Sequence, residues 1–341
     1  MNAEHLVDVI RGNLVESGHW GHIAVVNSEG ELLYSNGDPN RVTFARSSMK
    51  PLQAIPIVET GAAAAYQFEL DDLSLACASH SGESQHTDRV IAILTRLGLT
   101  SSSLQCGTHP PRWQETYEEL MKSGKEVTAE YNNCSGKHIG MLTTAIHMGE
   151  SLEDYYKMDH LVQKRIIEVI SDLAEVPVDE IEIGIDGCGV PVHGIPLKNL
   201  ALGFAKMANP SAQPEKRKRA IEQVTSAMMA APEMVGGTDR FCSDFMRIEE
   251  GRMFGKAGAE GVYCIGDLET GLGIAIKIED GTGRATSPVA VEVLKQLGLL
   301  TEEKNELLQE YHYPKLKNAR KEIIGQLRPV FTLKSALRIL S

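Results

Sequence analysis

At 341 residues the chain is long enough for one large domain or two ordinary ones, with a substantial core. Its 46 acidic against 34 basic residues give a net charge of -12, which argues against a nucleic-acid or anionic-membrane surface and leaves a small molecule as the expected partner. No segment approaches the roughly 20 apolar residues of a bilayer span, and the first twenty residues, interrupted by Glu4, Asp8 and Glu16, lack the basic start and apolar run of a secretion signal.

In chain order, residues 3–17 read as a short amphipathic helix. His22-Ile-Ala-Val-Val-Asn and Glu31-Leu-Leu-Tyr-Ser read as two strands around a tight turn, so an antiparallel hairpin follows. After the turn cluster Asn36-Gly-Asp-Pro-Asn and the short run Val42-Thr-Phe-Ala, a helix is expected from Ser47 to Gly61. Helices are then predicted over 71–78, 86–97, 115–123, 138–148, 160–174, 196–208 and 214–230, with a strand over 179–186 ending at Gly187-Cys188-Gly189. Strand character returns over 253–266 and 272–279 as two adjacent antiparallel strands, followed by a helix over 287–297. The charged stretch 302–324 reads as a surface helix. The fold class is therefore α/β: one antiparallel sheet built from both chain ends, with a largely helical middle packed beside it. Residues 1–60 and 250–300 would hold the sheet and 61–249 the helices, all within a single catalytic unit.

The most reactive stretch is Arg46-Ser47-Ser48-Met49-Lys50-Pro51. In the register Ser-x-x-Lys, Ser47 and Lys50 share a helical face one turn apart, while Ser48 faces elsewhere. Pro51, lacking an N–H, belongs in the first turn, which leaves Ser47 at the positive end of the helix dipole. A lysine acts as a base only when neutral, so its pKa must fall from about 10.4 to roughly 7–8 through burial or nearby positive charge such as Arg46. Taken alone, such a tetrapeptide most often lies on a solvated helix surface.

Further loops combine small residues with reactive groups. Cys77-Ala-Ser79-His-Ser-Gly-Glu sets a second hydroxyl at a break between helices, where an N-cap serine is the plainer reading. Cys134-Ser-Gly-Lys137 pairs a thiol with an amine, and Cys188 follows Asp186 between two glycines; together they could form an unusual zinc site of two thiolates and an amine. With six cysteines and no sign of export, free thiols or metal ligands are expected rather than disulfides, and the expected compartment is cytoplasmic. Lys256 lies in the glycine-rich strand Gly255-Lys-Ala-Gly-Ala-Glu-Gly, resembling a K-T-G strand with alanine in place of threonine; Lys277 competes for its role.

Taken in order, Arg46-Ser-Ser-Met-Lys-Pro, Cys77-Ala-Ser-His-Ser-Gly-Glu, Asn133-Cys-Ser-Gly-Lys-His, Asp186-Gly-Cys-Gly-Val-Pro and Lys256-Ala-Gly-Ala-Glu-Gly resemble the class 3, zinc-associated L-asparaginases, the L-asparaginase II family. The resemblance runs from the opening hairpin to about residue 290. It implies the serine β-lactamase and penicillin-binding-protein architecture, a homodimer, and hydrolysis of L-asparagine by two Ser–Lys tandems, Ser47 with Lys50 and Ser79 with Lys256. It also implies zinc on Cys134, Lys137 and Cys188, shaping the substrate site more than activating water. Arg46, His138 and Asp186 would then border the substrate. A serine-type glutaminase differs by one methylene in its substrate and is the nearest alternative. A β-lactam hydrolase or peptidoglycan peptidase would be expected to carry an export signal. A non-catalytic, zinc-stabilised binding protein on the same scaffold would need the cysteines but not all four serine and lysine residues.

Overall fold

The computed structural model describes residues 2–336. They sort into two units: a sheet unit, made of the chain up to Ser48, Ile195–Asn209 and the chain from Gly255 onward, and a helical unit, Met49–Gly194 with Pro210–Phe254. In chain order the strands are β1 (Glu4–Arg11), β2 (Leu14–Val26), β3 (Leu32–Asn36), β4 (Val42–Phe44), β5 (Glu182–Ile185), β6 (Pro191–Pro196), β7 (Met253–Gly258), β8 (Val262–Asp267), β9 (Leu272–Ile278), β10 (Lys315–Lys317) and β11 (Ile323–Pro329). No helix of the described residues is long and apolar enough to cross a membrane.

An eight-stranded sheet runs in the order β10-β11-β1-β2-β9-β8-β7, with β3 against β2. It is drawn from both ends of the chain, as the sequence indicates. Its centre is continuous apolar sequence: Ile23, Ala24 and Val25 of β2 face Ile276, Ala275 and Ile274 of β9, and all six are fully buried. Strands without polar alternation belong in a sheet covered on both faces. The helices Leu197–Ala208 and Thr286–Gln296 both pack on this sheet. At Gly273 a Cβ would stand 1.9 Å from Ala201 O and 2.5 Å from Ala205 N, so only glycine lets the first of these helices lie so close to β9.

Three expectations for this unit are overturned. Residues 3–17 form no helix but the β1–β2 hairpin, in which Arg11 pairs with Leu14 across Gly12-Asn13. The β-branched Val7, Val9, Ile10 and Val15 favour strand, and the two-residue turn fixes the hairpin. The stretch 253–266 is two strands, broken at Ala259-Glu-Gly261. Of 302–324, only Glu302–Leu307 and Gln309–His312 are α-helical. Pro314 cannot continue that helix, and the chain then turns into β10 and β11, the latter pairing with β1 from Val7 opposite Pro329 to Arg11 opposite Gly325.

In the helical unit, Lys50–Glu59 packs on Glu215–Ala230, Leu161–Ala174 and Ser135–Met148, and Leu70–Ala76 packs on Glu215–Ala230 and Ser135–Met148. Pro51 falls in the first turn of its helix, where its missing N–H costs nothing. The expected strand over 179–186 is shorter, Glu182–Ile185, and makes a hairpin with β6, Ile183 opposite His193. The proline-flanked β6 gave no strand signal. The helix expected over 138–148 starts at Ser135, which puts Cys134 at its N-cap and Lys137 in its first turn.

One ion-pair cluster in the sheet unit ties stability to pH. Arg41 grips Glu279 through Nε at 2.8 Å and Nη2 at 2.9 Å. His22 Nδ1 accepts from Asp38 N, which leaves Nε2–H to donate to Glu279 at 3.0 Å. The Arg41 hydrogen bonds, outweighing burial, hold the Glu279 carboxyl down at about 2, whereas burial wins at His22 and lowers its pKa despite the carboxylate. A depressed carboxyl stabilises the fold above its ordinary value near 4.5 and loses that contribution as pH falls toward 2. Because the pair is partly solvated, wild type should lose roughly 1–2 kcal/mol over that interval that Glu279→Gln does not. Urea unfolding at pH 3 and pH 6 measures the difference; identical pH slopes for the two proteins would count against it.

Candidate active site

The helical unit gathers most of the candidate residues. Lys50 is buried at 1% exposure, and its Nζ contacts Ala78 O, Ser79 Oγ at 3.1 Å and Cys134 Sγ at 3.1 Å. Ala78 O can only accept, so one N–H of Lys50 is committed there in either protonation state. The Ser79 hydroxyl therefore lies within proton-transfer reach of a buried amine, the arrangement that activates a serine. Ser79 is not the N-cap of the following helix; Glu83 takes that position, closing a capping box with His86.

The thiols extend the cluster. Lys137 Nζ donates to Cys188 Sγ at 3.0 Å, and Cys134 and Cys188 hydrogen-bond to each other. That bond, followed by the charges of Lys50 and Lys137, lowers the Cys134 thiol well below its ordinary pKa against the opposing effect of burial. Cys188 is pushed up, by the Cys134 bond first and burial second. Burial acts most strongly on Lys137 and disfavours its charge, but the two sulfurs and Asp186 outweigh it and its pKa rises. Two sulfurs and one amine thus converge, a soft donor set suited to zinc. No group of three or more His, Cys, Asp and Glu side chains among the described residues is placed to hold a metal ion. An ion here would need the Lys137 amine as its third ligand. All six cysteines are buried free thiols.

His138 follows in the same helix turn. Tyr155 Oη, accepting from Gln105 N at 2.9 Å, is left its own proton to give His138 Nδ1 at 2.6 Å. Burial first, then Lys137 and Lys50, hold His138 neutral, and its buried Nε2 has no hydrogen-bond partner among the described residues. Asp186 accepts from Gly187 N at 2.9 Å beside this group. Behind Ser79, His80 Nδ1 accepts from Gly82 N, so Nε2–H donates to Ser135 Oγ at 2.8 Å and Ser135 passes its own proton to Glu130 O.

The sheet unit holds Arg46, Ser47 and Lys256. Arg46 has φ +53°, an uncommon angle for a side chain other than glycine, and its guanidinium lies 3.9 Å from Glu260. Ser47 is half-buried, whereas Ser48, fully buried, donates to Ala45 O at 2.7 Å. Ser48 is therefore a structural hydroxyl. Lys256 is buried at 1% exposure and donates to Ala257 O at 2.8 Å. Its strand passes tightly by the Ser47 segment: a Cβ at Gly258 would stand 2.5 Å from Ala45 O and 3.2 Å from Ser48 N. The competing Lys277 instead donates to the backbone carbonyls of Glu260 and Ile278. Burial is the main cause of its lowered pKa.

Sequence reasoning missed four groups at the site. Cys106, held up at about 12 chiefly by burial, and Tyr155 reach the cluster only through tertiary packing. Arg112 and Arg240 lie on loops that flank the Ser79 loop. The Pro110-Pro111 pair before Arg112 and the Gly236-Gly237 pair before Arg240 mark loops, but neither carries a spacing that points to the other.

Among solved structures, a β-lactamase from Mycobacterium bovis is 12% identical, covers 86% of this chain and 95% of its own, and gives a TM-score of 0.42. A D-alanine carboxypeptidase from Burkholderia cenocepacia is 13% identical over 81% of this chain and 93% of its own, with a TM-score of 0.41. A class C β-lactamase from Rhodobacter sphaeroides is 14% identical over 82% and 95%, with a TM-score of 0.42. No curated protein matches the sequence. The family model described as L-asparaginase II matches residues 7–329, from β1 to the end of β11 and across every motif named above. The chain belongs to the L-asparaginase II family of hydrolases.

Proposed function

We propose that the protein hydrolyses L-asparagine to L-aspartate and ammonia through an acyl-enzyme on serine. The observation that supports this reading is the buried Lys50 amine, 3.1 Å from the hydroxyl of Ser79, the serine proposed to relay protons at the site. Ser47, three positions before Lys50 in the chain, attacks the side-chain carboxamide and its proton passes to the Lys50 amine. As the C–N bond breaks, the leaving nitrogen takes a proton from Ser79, which Lys256 replaces. Water then adds to the acyl carbon and its proton passes through Ser79 back to Lys256, while Lys50 returns the first proton to Ser47 as the acyl C–O bond breaks and aspartate leaves. Arg46, His138 and Asp186 are the proposed substrate contacts. Zinc on Cys134, Lys137 and Cys188 is the proposed metal; bound there, it would tie together the loops that carry those residues.

Ammonia release from L-asparagine and from L-glutamine, measured for wild type and Ser47→Ala, tests the reading. Wild type should favour asparagine by about ten- to hundredfold, the scale of one methylene, and Ser47→Ala should fall to background on both. Preference for glutamine would replace asparaginase by glutaminase as the activity. Equal background rates for the two proteins would favour a binding protein on this scaffold.

A further inference from the structure

Two loops are pinned to the Ser79 loop, and each ends in an arginine. In the first, Trp113 N donates to Ser81 O at 2.9 Å, which fixes Arg112 immediately before it. That loop is also tied to the Cys134 turn, through Asn132 Nδ2 to Cys106 O at 2.8 Å and His109 Nε2 beside Asn133. At the second, Ser79 N donates to Val235 O at 2.9 Å, and Ser81 Oγ to Gly236 O at 3.0 Å. Thr238 donates to Glu83 through N at 2.8 Å and Oγ1 at 3.0 Å. Gly237 has φ +107°, and a Cβ there would stand 2.2 Å from Glu83 Oε1, so this junction requires glycine.

Neither guanidinium makes an ion pair or a hydrogen bond among the described residues, in contrast to Arg41, Arg89, Arg96, Arg165 and Arg217. Glu83, the carboxylate that ties the loops together, already accepts from Thr238 and from Gln85 at 2.7 Å. Arg112 is solvent-exposed, yet the packed protein around it first and repulsion from Arg240 second lower its pKa. Its charge is felt at His80 and Cys134, in keeping with the Trp113 N to Ser81 O hydrogen bond that holds its loop against the Ser79 loop. Two like charges held near each other without a counter-ion are unfavourable until an anion joins them, and a guanidinium fork matches a carboxylate in two-point geometry.

We propose that Arg112 and Arg240 together seat the α-carboxylate of the amino-acid substrate, fixing the end of the ligand remote from the carboxamide. The assignment rests on the asparaginase reading and names the part of the substrate that reading leaves unheld.

The test compares L-asparagine with L-asparaginol, which keeps the side-chain amide and replaces the carboxylate by CH2OH. Arg112→Gln and Arg240→Gln should each raise KM for asparagine by about ten- to hundredfold with a much smaller change in kcat, the scale of a lost charge-assisted hydrogen bond. The wild-type preference for asparagine over asparaginol should collapse by the same factor, and Arg112→Lys should recover only part of it. Equal losses on both substrates, or an unchanged KM, would overturn the proposal. L-Aspartate binding by calorimetry keeps the two readings apart. If wild type releases no ammonia from any amide, the asparaginase reading fails, yet aspartate binding at least tenfold weaker in both variants would still support the carboxylate seat. Equal aspartate affinity in variants that melt with wild type would end it.

Discussion

Replacing Lys50 by methionine should lower ammonia release from L-asparagine by at least about a thousandfold, because it removes the amine that takes the serine proton. Methionine keeps the length and volume of the side chain, so the site at 1% exposure stays filled. The variant does strip a donor from Ala78 O, Ser79 Oγ and Cys134 Sγ. A melting curve must therefore accompany the rate. Combining Lys50→Met with Ser47→Ala should cost little beyond the single change if nucleophile and base act as one unit. A folded Lys50→Met protein within tenfold of wild type would refute the lysine as base.

Cys188→Ser should reduce the zinc kept after dialysis from about one ion per chain to less than roughly a tenth, and Cys134→Ser should do the same. Serine preserves the size of each residue but is a far poorer zinc ligand than a thiolate. The pattern of three is the informative part. Because Lys137 already donates to Cys188 and both sulfurs hydrogen-bond each other, Lys137→Met should lower zinc retention as strongly as either cysteine change. Metal analysis of the dialysed proteins reads this without any assay of turnover. Retention equal to wild type in Lys137→Met would leave only two protein ligands and remove the amine from the site.

Local patterns carried the helical unit well, because 3.6-residue periodicity and capping are properties of adjacent sequence. They failed where a strand's partner is remote. Residues 3–17 carry both scattered apolar positions and β-branched residues, and pairing with β11, from Val7 opposite Pro329 to Arg11 opposite Gly325, helps decide between helix and strand. The same holds for 315–329, whose charge masked two strands. Lys50, Ser79, Cys134, Lys137 and Cys188 were legible because small residues crowd reactive ones in short motifs. Arg112 and Arg240 were not, since neither lies in a motif. Only the hydrogen bonds from Trp113, Ser79, Ser81 and Thr238 bring them to the same loop.

The order of strands has a consequence for how the protein is made. β2 sits between β1, its immediate neighbour in sequence, and β9, which leaves the ribosome roughly 250 residues later, or about 13–50 s at ordinary translation speeds. Throughout that interval the apolar edge Ile23 to Val26 lacks the β9 partner that will cover it. An uncovered edge of this kind is a template for pairing with the wrong chain until the second half of the message has been read.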